Sequence, residues 1–141
     1  MDIQVREEHL SGNKMLDLQH INIFIQAMKI QMMAKCMILK TPPLDFVPLQ
    51  EELTKFGELL NAHSEYEKYL MESMGLACLT LREQERAPRI AVRASRNLSK
   101  HLAASTLNEV LLLIDSVYVH MNDPHEIALI LAVKKARKLQ R

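Results

Sequence analysis

Three histidines and one glutamate sit where they could act together. In LLNAHSEYEKYLM (59–71), His63 and Glu67 are one helical turn apart on the stripe that carries Leu49, Leu53, Phe56, Leu60, Leu70 and Met74. Their alternating spacings of four and three turn one side of a helix toward a core. His20 holds an equivalent place among Leu16, Ile23, Ala27, Ile30, Ala34 and Met37, and His120 follows Val110, Leu113 and Val117. Three segments thus each aim an imidazole inward, and one of them adds a carboxylate. A buried carboxylate is costly without a counter-charge, and buried imidazoles need hydrogen-bond partners. A bound metal ion would answer both demands. His9 and His101 stand outside this set and are expected to be hydrogen-bonded core residues.

The elements that must position these groups are helices. The chain has 141 residues, 48% of them hydrophobic, which suits one compact domain spanning 1–141. Three Gly, no Trp, three Tyr and three Phe, against abundant Leu, Met, Ala, Glu and Lys, favour an all-α fold. The prolines of TPPLDFVP (41–48) separate two helical patterns, with Pro48 suited to a first helical position and Glu51 and Glu52 to the first turn. Gly75 suits the residue just past a helix end, while Pro88 and the NDP at 122–124 mark further interruptions. The patterns predict helices over 14–40, 48–74, 79–103 and 106–138, joined by short loops into an antiparallel up-and-down four-helix bundle.

Several function classes lose support at this level. A formal charge of +1 gives no global attraction to nucleic acid or membrane. No apolar run is long enough to span a bilayer, and MDIQVREEHLSG lacks the order of a signal peptide, so a cytoplasmic location is expected. Cys36 and Cys78 have no CxxC spacing and are expected to be buried, reduced thiols. The Met-rich MKIQMMAKCM (28–37) reads as core filler and flexible packing surface. Without a Gly-rich phosphate loop, a nucleophile elbow or a Ser-His-Asp or Cys-His arrangement, no enzymatic activity is expected.

The motifs in order resemble those of the bacterial hemerythrin-like, HHE cation-binding family. GNKMLDLQHINIF (12–24) is similar to the start of that family's first helix, where the DxQH arrangement corresponds to Asp17, Gln19 and His20. HSEYEKYLMESMG (63–75) resembles its HxxxE motif followed by Met and Gly, with His63 as a terminal ligand and Glu67 as a bridging carboxylate. YVHMNDPH (118–125) resembles its HxxxxD motif, with His120 as ligand. The resemblance covers most of the chain and implies a hemerythrin-like four-helix bundle holding non-haem iron. It departs at the third helix, where Arg82 and Arg86 stand in place of an HxxxH pair, and at His125, which occupies the position of a second bridging acid close to Asp123. The donors that remain are His20, His63 and Glu67, with His120 and, if it turns inward, His125. Two histidines and one carboxylate form a set associated with non-haem Fe(II), leaving positions for O2, NO or water. The resemblance therefore implies one iron rather than two, in a carrier or sensor of O2, NO or iron. The competing arrangement is metal-free, with Glu67 hydrogen-bonded to neutral imidazoles or paired with Arg82 or Arg86.

A second pattern runs along the third helix. Arg82, Arg86, Arg89, Arg93, Arg96 and Lys100 alternate by four and three, opposite an apolar face of Ala87, Ala91, Ala94, Leu98 and Leu102. The cations should face solvent. Such a stripe could dock an acidic protein partner, which would suit a metal-free hemerythrin-like interaction module; nucleic acid is not expected, since stacking aromatics and a DNA-binding motif are both lacking.

Overall fold

The computed structural model describes residues 9–75, 78–121, 130–131, 133–135 and 138, with side chains throughout that set except at 78–88. Among the described residues the protein is all-helical and has no strand. Its four long helices are α1 (Lys14–Ile38), α2 (Val47–Ser73), α3 (Cys78–Lys100) and α4 (Leu107–Met121). None is long and apolar enough to cross a membrane.

Local chemistry explains where the helices begin and end. Asn13 caps α1 by accepting a hydrogen bond from the Leu16 amide at 3.0 Å, and Asp17 lies in the first turn, where the helix dipole favours an anion. α2 begins at Val47, one residue earlier than expected, with Pro48 in its first turn, where a missing N–H leaves nothing unsatisfied. It gives way at Met74 to Gly75, whose φ of 66° suits a residue without a Cβ. α3 is helical through Pro88, as the predicted span over 79–103 requires. It stops at Lys100 instead of 103. Ala103 is extended, its amide donates to Thr106 Oγ1 at 2.9 Å, and a single 3₁₀ turn at Ala104–Thr106 leads into α4. The second half of the expected fourth helix is helical at 130–131, 133–135 and 138, while the NDP at 122–124 lies outside the described residues.

Packing follows chain order. α1 contacts α2 and α4, and α3 contacts α2 and α4, so each helix has two main neighbours. The large core cluster draws Ile23, Phe24 and Ile30 from α1, Leu53 and Phe56 from α2, Val92 and Leu98 from α3, and Ile114 and Val117 from α4. A smaller cluster joins Leu16, Leu70, Met71 and Val133. α2 and α3 approach closely at Gly57, where an added Cβ would sit 3.4 Å from Ser95 Oγ; that hydroxyl donates to the Leu53 carbonyl at 2.7 Å.

Four expectations change. Cys36 is exposed rather than buried, because it lies on the outward side of α1, opposite the Ala34 and Met37 seam. The Met-rich run divides accordingly, with Met37 buried and Met28 and Met32 exposed. His101 is also exposed, because α3 has already ended. Glu52, expected in the first turn of α2, lies beyond it and is buried. The Gln26 side-chain amide donates to Glu52 Oε2 at 2.5 Å, and Lys29 Nζ and Lys55 Nζ stand 3.0 and 3.6 Å from Oε1. The hydrogen bond from Gln26, reinforced by both lysines, holds the carboxyl below its usual 4.5 although burial opposes this.

A depressed carboxyl pKa contributes stability that is fully present above the unfolded value and is lost as pH falls through the folded one. Glu52→Gln should therefore lower unfolding free energy at pH 7 by about 1 kcal/mol. Denaturant titrations of both proteins should converge as the pH drops below 4.5. An undiminished gap in acid would show that the carboxylate charge is not what matters.

Candidate metal centre

α1 and α2 bring three of the sequence-predicted donors to one point. His20, His63 and Glu67 each offer a ligand atom, and these atoms all lie within 4.8 Å of one another. All three residues are buried, at 0, 3 and 3% exposure, so water does not screen them. The two imidazoles meet edge to face with ring centroids 4.7 Å apart. His63 Nε2 directly contacts Glu67 Oε1, one turn along the same helix.

The hydrogen bonds behind the rings determine what faces this point. His20 Nδ1 lies 2.7 Å from the backbone carbonyl of His9, which can only accept, so Nδ1 carries the proton. His63 Nδ1 lies 3.1 Å from Gln19 Oε1 and is likewise the donor. Nε2 of each neutral imidazole is then left with a lone pair. Glu67, when ionised, also only accepts. A neutral His63 would place an Nε2 lone pair against a carboxylate oxygen, an arrangement that requires a positive species. A proton shared by His63 and Glu67 would serve that one contact. A metal cation serves all three donors together, and orientation of ligand histidines through their second nitrogen is the usual support for it.

A loop ahead of α1 holds the His9 carbonyl in place. The Asp17 carboxylate accepts from Ser11 N at 2.6 Å, Ser11 Oγ at 2.8 Å and Gly12 N at 2.8 Å. Gly12 has a φ of 83°, which lets the chain turn back over Asp17. Ser11 Oγ accepts from the Asn13 amide at 3.0 Å, and Tyr66 of α2 donates to Asn13 Oδ1 at 3.2 Å. Asp17 thus acts on His20 through Ser11, Gly12 and the His9 carbonyl. The His9 ring is fully buried and packs 4.9 Å from Phe24, which meets Tyr118 of α4 at 5.8 Å.

Two further donors were expected, His120 and His125. His120 is half-buried with Nε2 shut off from solvent, but it does not join the His20, His63 and Glu67 group. The reason lies in the phase of α4, where Val117, Tyr118 and Met121 take the inward positions and leave His120 at the edge of that face. His125 lies outside the described residues, as do the side chains of Arg82 and Arg86. Arg89, Arg93, Arg96 and Lys100 are exposed on α3. His9 was missed as a contributor because it precedes the first helix, where no apolar period reports orientation.

No protein-family model matches the chain, and no curated protein or solved structure is significantly similar to it.

Replacing Gln19 by Leu removes the acceptor for His63 Nδ1 while keeping the helix. Cobalt(II) titrations followed by absorbance should show affinity reduced about 10- to 100-fold, as is usual when an orienting partner of a ligand histidine is lost. Unchanged affinity would show that the amide does not orient the ring for a metal.

Proposed function

We propose that this protein is a divergent hemerythrin-like four-helix bundle that binds a single non-haem metal ion, iron by preference, and acts as a carrier or sensor of O2, NO or iron. The observation that supports this most is the meeting of Glu67 with two histidines whose Nδ1 atoms are both turned to oxygen acceptors. The cyclic packing of four long helices fits an antiparallel up-and-down bundle.

The donor set suits one ion. His20, His63 and Glu67 would hold it, and two imidazoles with one carboxylate suit non-haem Fe(II), leaving coordination positions for a small ligand. A bound iron would supply reversible attachment of O2 or NO. The protein's own part is to orient the donors through His9 and Gln19 and to bury them away from water. Its chemistry is read as binding rather than catalysis. The metal-free interaction module draws instead on the exposed cations of α3, and would leave Glu67 to the neighbouring imidazoles or to Arg82 or Arg86.

Protein purified from iron-supplemented cells should contain about one iron per chain by elemental analysis. His63→Ala should retain less than about a tenth of it while keeping its helical circular dichroism, since one of three ligands is gone. A metal-free wild type, or a variant that keeps its iron, would contradict the proposal.

A further inference from the structure

We propose that the cleft between α2 and α3 is a docking site for a carboxylate-rich segment of a partner protein, independent of the metal centre. The cleft has a volume of about 390 Å³. Arg93, Arg96 and Lys100 line it from α3, with Asn61 and Ser64 facing them from α2 and the buried Val92 at its base. No Asp or Glu is among its lining residues. Among the described residues, no carboxylate stands at ion-pair distance from Arg93, Arg96 or Lys100. The lining is therefore rich in hydrogen-bond donors and carries three uncompensated positive charges.

The shape narrows the ligand. From Arg93 to Lys100 the basic side chains follow one helix face for about 10 Å. Their spacings of three and four match those of acidic side chains on successive turns of another helix. Guanidinium forks bind carboxylates in two-point contacts, and Asn61 and Ser64 offer neutral donors on the opposite wall. A phosphate backbone is a poorer fit. No aromatic side chain lines the cleft to stack a base, and the whole chain carries a formal charge of only +1.

The test measures fluorescence anisotropy of a labelled helical peptide with Glu at alternating four- and three-residue spacings, added to the full-length protein at low ionic strength. A peptide with Gln at the same positions is the control. The Glu peptide should bind saturably, and far more tightly than the Gln peptide. Arg93→Glu with Arg96→Glu should weaken binding by about tenfold or more, whereas Lys14→Glu with Lys35→Glu, an equal charge change on exposed α1 positions, should alter it less than about twofold. Asn61→Ala with Ser64→Ala, which changes no charge, should weaken it by about threefold. Circular dichroism should be the same for all variants.

Four outcomes would overturn the proposal. These are no saturable binding of the Glu peptide, equal binding of the Gln peptide, equal loss in the α1 pair, and displacement of the peptide by a tighter-binding oligothymidylate. The last would make the cleft a phosphate site.

Discussion

Glu67 is a carboxylate at 3% exposure, and much of the surrounding structure can be understood as what such a group requires. An ionised carboxylate taken out of water needs a cation or several donors close by. The groups beside it are imidazoles whose Nδ1 protons are directed elsewhere, toward the His9 carbonyl and the Gln19 side chain. The faces of the two rings turned toward Glu67 therefore carry Nε2, the nitrogen that holds the lone pair when the imidazole is neutral. Such a group could hold a cation, and its orientation depends on two hydrogen bonds lying outside the group itself.

Those two bonds come from adjacent parts of α1. Gln19 and His20 are neighbours in sequence, yet Gln19 orients the histidine of α2 while His20 is oriented by the segment before its own helix. Asp17 draws that segment into place through Ser11 and Gly12. The short stretch from His9 to His20 thus caps α1, fixes one ring directly and fixes the other across the helix interface. The smaller apolar cluster around Leu16, Leu70 and Met71 draws on the same parts of α1 and α2 as the site. Ordering α1 against α2 and ordering the donors are, on this account, one event.

How much of this the sequence disclosed depends on periodicity. On α1 and α2 the apolar seam is long and regular, so His20, His63 and Glu67 could be placed inward from spacing alone, and they are buried together. On α4 the seam is shorter, and His120 stands beside the buried Val117, Tyr118 and Met121, half-buried and outside the group of three. His9 could not be found because its contribution is a backbone carbonyl supplied from ahead of α1, where no apolar period reports orientation. Glu52 was assigned to a helix end by local rules, whereas its burial depends on Gln26 and Lys29 of another helix. The outward direction of Arg89, Arg93, Arg96 and Lys100 was legible. The α2 wall that turns Arg93 and Arg96 into the side of a cleft was not, since it requires knowing which helices are neighbours.

α2 therefore carries both proposed activities on different sides, with His63 and Glu67 toward the core and Asn61 and Ser64 toward α3. Anomalous diffraction at the iron edge from crystals of iron-loaded protein tests the central reading most directly. The account predicts one peak at bonding distance from the ring nitrogens of His20 and His63 and from an oxygen of Glu67. Density showing those three side chains in place with no peak between them, and Glu67 sharing a proton with His63 instead, would contradict it.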